Sequence, residues 1–411
     1  MSLERAPGAN QGREVVVVGA GLAGLAAALC LARRGARVTV LERAERLREV
    51  GAGLQVSPNG YRVLRALGLD LALAQRGDRS AAVVLRSGET GRRVARLALP
   101  PESRAHWRLL HRADLLDILS QACRAEGVAI RLGAPVARVG ATERRPVLEM
   151  EDGERLAPDL LLGADGVRSV VRAALQPTPD EPRFTGQVAW RALVRPLERP
   201  LSEATVHLFA GRHLVTYPLR RGTLLNLVAV EERAEWAEEG WHRRGDPDRL
   251  RAAFADAHPP LRRLLEEVTE ARLWGLFLHP VAGSWASHGI ALLGDAAHPT
   301  LPFLAQGANL ALEDAWVLAA ETDAPVSLDR ALRRYEERRR PRAARAVEAA
   351  RANARDYHLR GPRRALAHAA LRLGSAVAPW AVARRTAWLH GHDVTGGETL
   401  PPRRSGVEID P

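Results

Sequence analysis

The fold of this 411-residue chain is decided near its N-terminus by residues 15–42, which read VVVVGAGLAGLAAALCLARRGARVTVLE. The run of valines indicates a buried parallel strand, and the residues from Leu22 onward indicate a helix. Between them stands Gly19-x-Gly21-x-x-Gly24. In such a pattern the first glycine permits a tight turn, the second lets the backbone approach a pyrophosphate, and the third lets helix and strand pack closely. The helix N-terminus then offers free N–H groups to the phosphates.

The residue that follows the second strand supports a dinucleotide site. Glu42 comes directly after the strand Val38–Leu41 and lies 18 residues after Gly24, close to the spacing of about 20 expected for an acidic residue that binds the ribose hydroxyls. A carboxylate at this place disfavours a 2′-phosphate. The segment therefore predicts a site for FAD or NAD, and it does not distinguish the two.

Two later strands also end in glycines beside an aspartate. The strand Leu160–Leu162 runs into Gly163-Ala-Asp165-Gly-Val-Arg-Ser, and the strand Ile290–Leu293 runs into Gly294-Asp295-Ala-Ala-His-Pro299. We expect these two carboxylates to meet a long polyol chain.

The rest of the chain predicts an α/β fold with a Rossmann-like FAD-binding domain, an interleaved and mostly antiparallel sheet, and a C-terminal helical segment. The FAD-binding domain is assigned to residues 1–75, 100–180 and 281–320, and the sheet domain, which would bind the substrate, to 76–99 and 181–280. Residues 321–411 form the helical region, with a frayed tail from Pro401. Helices are expected at Leu22–Arg34, Ala113–Glu126 and Ala308–Glu321, and strands of the middle sheet at Val188–Val194, Thr205–Phe209, Leu214–Leu219 and Leu224–Val230.

Composition excludes several classes of protein. The chain has 60 basic and 48 acidic residues, a net charge of +12, and every basic residue other than histidine is arginine. The arginines are spread along the sequence without an aromatic pattern, so we expect no nucleic-acid partner. Cys30 and Cys123 are too few and too distant for a disulfide scaffold or a metal site, and none is predicted. No signal peptide or spanning apolar run is found, so a cytoplasmic location without a membrane partner is expected.

Taken together, the motifs resemble those of the single-component FAD-dependent aromatic hydroxylases, which have the p-hydroxybenzoate hydroxylase fold. The resemblance rests on the three glycine-containing segments above, on Gly51-Ala-Gly-Leu-Gln-Val-Ser-Pro-Asn59 and on His111-Arg112-Ala-Asp-Leu115. It covers nearly the whole chain. The most similar branch contains salicylate hydroxylases, 3-hydroxybenzoate 6-hydroxylases and 6-hydroxynicotinate hydroxylases.

This resemblance implies non-covalent FAD, with NADH or NADPH as a transient co-substrate, and it implies cofactor roles for individual residues. Glu42 would hold the adenosine ribose, Asp295 the ribityl chain, and Asp165 both FAD and nicotinamide. Backbone N–H groups at the start of the helix predicted at Ala308–Glu321 would stabilise charge on the reduced flavin. The complete set is Gly19, Gly21, Gly24, Glu42, Arg43, Arg112, Asp165, Asp295, Pro299, Ala308 and Asn309.

The candidate catalytic residues are His213, Tyr217 and Gln306. The first two are four apart in a strand-like stretch and therefore share a face, and the related 3-hydroxybenzoate 6-hydroxylases have a similar pair. Attack by a flavin hydroperoxide is favoured when the substrate phenol is deprotonated, and a histidine with a pKa near 6.5 suits that task. Tyr217 and Gln306 would orient the phenol. For a substrate carboxylate, Arg191 and Arg220 are the candidate cations.

We therefore expect an FAD-dependent monooxygenase that uses NAD(P)H and O2 to hydroxylate a small phenolic or heteroaromatic, carboxylated substrate, and that is a possible homodimer. Two alternatives stay open. One is a different FAD oxidoreductase of the same fold, such as a reductase or a membrane-associated quinone-precursor hydroxylase. The membrane-associated enzyme would need an exposed apolar patch, for which Leu371–Val382 is the candidate. The other is a flavin-binding protein without catalytic activity.

Overall fold

The computed structural model describes residues 8–47, 53–99, 101–142, 145–176, 178, 181–233, 244–377, 386–400 and 402. The strands are β1 (Glu14–Val18), β2 (Arg37–Leu41), β3 (Gly53–Val56), β4 (Asp78–Arg79), β5 (Ala82–Ser87), β6 (Arg93–Ala98), β7 (Arg108–His111), β8 (Ala129–Arg131), β9 (Val136–Thr142), β10 (Arg145–Met150), β11 (Arg155–Leu156), β12 (Leu160–Gly163), β13 (Arg183–Val194), β14 (Ala204–Phe209), β15 (Arg212–Leu219), β16 (Leu224–Glu232), β17 (Arg244–Gly245), β18 (Ala271–Leu278), β19 (Ala286–Ser287) and β20 (Ile290–Leu292).

The helices are α1 (Leu22–Arg33), α2 (Pro58–Ala66), α3 (Asp70–Arg76), α4 (Pro101–Arg104), α5 (Arg112–Ala125), α6 (Val170–Leu175), α7 (Pro247–Ala253), α8 (Pro259–Glu266), α9 (Gly307–Thr322), α10 (Leu328–Tyr357) and α11 (Gly361–Val377). Two short 3-10 turns, Gly294–Ala296 and Pro302–Leu304, precede α9.

A mostly parallel sheet holds the three glycine-containing strand ends. Its strand order is β19-β20-β12-β1-β2-β8, and only β19 is antiparallel to its neighbour. Helix α1 packs against α9 and α5, and its residues from Leu25 to Leu31 are fully buried. A helix that is apolar on all sides is expected where it is enclosed by other elements, which is the position of α1 here.

The second large sheet has the order β17-β18-β13-β16-β15-β14-β5-β6 and is antiparallel except between β14 and β5. The predicted fold class is therefore confirmed. The domain boundaries stay a prediction; within 76–99, β5 and β6 join this sheet, whereas β4 pairs with β7 in a small sheet. Two small sheets, β11-β10-β9 and β3-β7-β4, were not expected from the sequence. Much of β9 is exposed, so its residues lack the apolar alternation that would reveal a strand.

The C-terminal helices α10 and α11 confirm the expected helical region as far as Val377. The frayed tail expected from Pro401 lies outside the described residues apart from Pro402, and so does the end of the apolar stretch at residues 378–382. Within the described residues, no helix is long and apolar enough to cross a membrane.

Candidate active site

The three acidic or glycine-rich segments meet at one edge of the parallel sheet. In the strand register Val18 is opposite Gly163, and Gly163 is opposite Leu292. The turns that follow these residues therefore lie side by side. They open into one cavity of about 1220 Å³, larger than the 300–1,000 Å³ typical of a single small-molecule pocket. Such a cavity has room for a dinucleotide and a small substrate together.

Most of the predicted site residues line this cavity. Those that do are Gly19, Gly21, Glu42, Arg43, Arg112, Asp165, His213, Tyr217, Asp295, Pro299, Gln306 and Ala308. Gly24 and Asn309 lie behind its wall.

The glycine turn has the geometry expected of a pyrophosphate cradle. Gly19 has a φ of +100°, and a Cβ there would come within 2.5 Å of the Ala164 carbonyl oxygen. A Cβ on Gly24 would lie 1.9 Å from the Gly19 carbonyl oxygen, so Gly24 lets the helix pack closely on the turn. Gly21 differs, because a Cβ there would meet no protein atom within 4 Å and would enter the cavity. It is also the N-cap of α1 and offers no side-chain cap, so the first-turn N–H groups are left for a ligand.

Glu42 lies beside this cradle. Its carboxylate accepts hydrogen bonds from the backbone N–H groups of Ala20 (2.9 Å) and Ala44 (3.0 Å). These bonds hold the carboxylate beside the glycine turn, where a ribose attached to the bound pyrophosphate would lie.

Asp165 lines the cavity but also has a structural task. Its carboxylate accepts hydrogen bonds from Ser169 Oγ (2.5 Å) and from the N–H of Val170 (2.8 Å), at the start of α6. Burial nevertheless raises the pKa of Asp165. The predicted dual role toward FAD and nicotinamide remains a prediction.

The other end of the cofactor region lies at the N-terminus of α9. Asp295 is exposed to the cavity, and Pro299 and Ala308 line it nearby. Asn309 instead ties α9 to the strand β3: its Oδ1 accepts from the Ser57 N–H (2.9 Å), and its Nδ2 donates to the Gln55 carbonyl oxygen (2.9 Å). Asn309 therefore positions this edge of the site from behind.

Gln306 is held by a buried network that the sequence did not reveal. Its Oε1 accepts from Asn59 Nδ2 (3.1 Å), and that amide also donates to Glu313 (2.7 Å). Arg339 then joins Glu313 (2.6 Å) to Asp314 (2.8 Å), and Asp314 contacts His298 Nε2 at 2.5 Å. The Arg339 guanidinium and the His298 ring keep the pKa of Asp314 at about 2 against the opposing effect of burial.

The predicted substrate residues face the cavity from β15. Tyr217 packs against Gly53, where a Cβ would come within 2.8 Å of the phenol oxygen. Burial raises the pKa of Tyr217, an effect that the nearby Arg191 charge opposes. Burial also lowers the pKa of His213 well below its usual value. This differs from the unperturbed histidine expected from the sequence, and it means that His213 is a neutral imidazole at neutral pH.

The structure separates the two candidate cations. Arg191 lines the cavity, and its guanidinium lies 4.8 Å from the ring centroid of Trp274. Arg220 lies outside the cavity lining and forms an ion pair of 2.9 Å with Asp114 at the surface, where its side chain is 51% exposed.

Comparison with known proteins defines the class. The family model described as FAD binding domain matches residues 13–350, and the chain belongs to this family. Among similar proteins, 3-amino-4-hydroxybenzoate 2-monooxygenase of Streptomyces cremeus is 40% identical over 354 residues, which cover 84% of this chain and 88% of that protein. The 3-hydroxybenzoate 6-hydroxylase of Klebsiella oxytoca is 35% identical over 361 residues, covering 85% and 90% of the two chains.

A solved structure agrees with these relatives. The Klebsiella pneumoniae HpxO complex with FAD and uric acid is 26% identical to this chain, with a TM-score of 0.79, and the match covers 89% of this chain and 95% of that one. The predicted family resemblance, the FAD cofactor and the class of FAD-dependent aromatic hydroxylase are thereby confirmed. The individual site residues remain predictions.

Proposed function

We propose that this protein is a monooxygenase that hydroxylates a small phenolic carboxylic acid, with NADH or NADPH as reductant and O2 as oxidant. One observation supports this most directly. A single cavity joins the dinucleotide cradle at Gly19 and Gly21 to a second compartment lined by His213, Tyr217 and Gln306. The names of the similar monooxygenases agree with a hydroxybenzoate or aminohydroxybenzoate as substrate.

Bound FAD would supply the redox chemistry with O2, and the protein supplies binding, orientation and proton transfer. In this proposal the backbone of the glycine turn would bind the pyrophosphate and Glu42 would bind the adenosine ribose. Asp295 would bind the ribityl chain. The start of α9 would lie beside the ring system.

His213 is proposed as the base that accepts the phenol proton. Its Nδ1 lies 2.9 Å from another histidine, His358, so Nε2 is the nitrogen left to face a substrate. A neutral imidazole is ready to accept a proton, whereas an imidazolium is not. Tyr217 and Gln306 would orient the phenol oxygen by hydrogen bonds.

Arg191 is proposed to bind the substrate carboxylate. It lines the same compartment as Tyr217, whereas Arg220 is committed to a surface ion pair. For Arg191→Met we expect KM for a hydroxybenzoate to rise about tenfold or more, since a charged hydrogen bond contributes about 1.5–3 kcal/mol. The matched variant Arg220→Met should leave KM within about twofold. A KM that is equal in both variants would contradict the assignment.

The activity itself is tested with a substrate panel. Salicylate, 3- and 4-hydroxybenzoate, 3-amino-4-hydroxybenzoate and 6-hydroxynicotinate are each mixed with the FAD-loaded protein and either NADH or NADPH. We expect substrate-dependent oxidation of the reduced nicotinamide and a hydroxylated product. A yellow protein that consumes neither nicotinamide with any compound would favour the alternative of a non-catalytic flavin protein. The homodimer and the cytoplasmic location also stay proposals.

A further inference from the structure

Three titratable side chains form a hydrogen-bonded series from the substrate compartment to the surface. His213 Nδ1 lies 2.9 Å from His358 Nε2, and His358 Nδ1 lies 3.2 Å from Glu232 Oε1. His213 is buried on β15, His358 directly follows α10, and Glu232 ends β16. The Glu232 side chain is 39% exposed. This hydrogen-bonded series therefore connects the substrate compartment to solvent through two imidazole rings.

We propose that His213, His358 and Glu232 form a proton relay that carries the phenol proton of the substrate out to solvent. This inference rests on the proposed function, because it takes His213 as the phenol base. His358 and Glu232 act through His213 and are positioning residues.

The proton balance closes without a charged ring. The phenol O–H bond breaks and a new N–H bond forms at His213 Nε2, while the proton on His213 Nδ1 passes to His358 Nε2. The proton on His358 Nδ1 passes to the Glu232 carboxylate, which then releases it to water. Three bonds to hydrogen break and three form as the proton reaches Glu232, and a fourth breaks and forms when Glu232 gives it to water. One proton therefore leaves, and both imidazoles end neutral. The same steps in reverse return a proton when the product leaves.

The surroundings of His358 support both tautomers that this transfer requires. Before the transfer, the protonated Nδ1 can donate to Glu232. After the transfer, the bare Nδ1 can accept from Gln187 Nε2, which lies 3.1 Å away. A relay that passes through a ring must alternate between two tautomers, and each tautomer here has a partner. A histidine with a purely structural role needs only one of them.

Burial explains why a relay is useful at this place. His213 lies among the rings of Phe303, Tyr357 and His358, at centroid distances of 5.0–5.5 Å. Burial lowers the pKa of both histidines, so neither ring retains an added proton well. Glu232, the last side chain of this hydrogen-bonded series, also forms an ion pair with Arg360.

The test measures protons rather than turnover. The FAD-loaded protein is mixed in a stopped-flow instrument with 3-hydroxybenzoate in weakly buffered solution that contains a pH dye. The wild type should release about one proton for each ligand bound. His358→Gln keeps a hydrogen-bonding side chain but cannot change tautomer, and it should slow the release at least tenfold while ligand affinity stays within about threefold. Glu232→Gln, nearer the surface, should slow it similarly, and Glu232→Asp should restore part of the rate.

The control is His207→Gln. His207 is a buried histidine on the neighbouring strand β14, opposite Leu214 in the register and beside His258. Its side chain therefore lies on the other face of the sheet from His213, and its replacement should leave the release rate unchanged. Release at the wild-type rate in both His358→Gln and Glu232→Gln would overturn the relay alone. A wild-type protein that binds 3-hydroxybenzoate without releasing a proton would instead refute His213 as the base, and with it that part of the proposed function.

Discussion

At the scale of single residues, burial changes what a histidine can do. His207 and His213 are both on the large antiparallel sheet, yet only His213 faces the cavity. Burial lowers the pKa of His207 to about 3 and that of His213 well below its usual value. A buried histidine in this sheet is therefore not a candidate base by its residue type alone. His213 is a candidate and His207 is not, because only His213 faces the cavity.

The buried His207 should make stability depend on pH. Its pKa is lowered in the folded state, so below pH 6.5 the unfolded chain binds a proton that the folded protein does not. The free energy of unfolding should then fall as pH drops from 6.5 toward 4, with His207 contributing roughly 1.4 kcal/mol per pH unit. Urea unfolding at several pH values gives the free energy of unfolding as a function of pH. Its slope against pH should be shallower for His207→Gln than for the wild type. Equal slopes would mean that His207 takes up a proton within the folded protein.

At the scale of elements, the turn between β1 and α1 contains two glycines with different tasks. Gly19 is needed for the turn to fold, and we expect Gly21 to be needed for FAD to bind. Gly21→Ala keeps an ordinary backbone conformation, with φ −71°, and its Cβ meets no protein atom. We expect normal unfolding of the FAD-free protein and an FAD dissociation constant raised about tenfold or more, because the methyl group occupies the space for the pyrophosphate.

The matched variant is Gly19→Ala, where the Cβ would clash with the Ala164 carbonyl oxygen and the φ of +100° is strained. This variant should lose stability even without FAD. The comparison requires FAD titration by fluorescence together with denaturant unfolding of both variants. If Gly21→Ala bound FAD as tightly as the wild type, the cradle would not hold the pyrophosphate.

Helices α9 and α10 are joined by the buried charges that support Gln306. Arg339→Met would leave Glu313 and Asp314 buried with fewer partners, so we expect a loss of about 3–5 kcal/mol in the free energy of unfolding. The matched variant is Arg340→Met, at the next residue along α10. It removes an exposed ion pair with Glu336 and should lower the free energy of unfolding by less than about 1 kcal/mol. Similar urea midpoints for the two variants would show that the buried network contributes little.

At the scale of the whole molecule, the net charge of +12 should attract anionic substrates. At saturating reduced nicotinamide, we expect kcat/KM for 3-hydroxybenzoate to fall about threefold or more between roughly 10 mM and 300 mM salt, since screening weakens long-range attraction. The neutral 3-hydroxybenzamide is the control and should show a smaller change. An equal salt effect on both compounds would argue against steering by charge.

The sequence by itself determined the dinucleotide cradle, the three strand ends and the two kinds of sheet. Glycine spacing specifies a backbone conformation, and apolar periodicity specifies which face of a strand or helix is buried, and both are local properties. Only the tertiary structure decided that Arg191 rather than Arg220 lines the cavity and that a buried network holds Gln306 while Asn309 supports the site from behind its wall. It also decided that His213 meets His358, 145 residues further along the chain. Contacts of this kind join polar side chains from distant elements, and no local period or spacing records which of them will become neighbours.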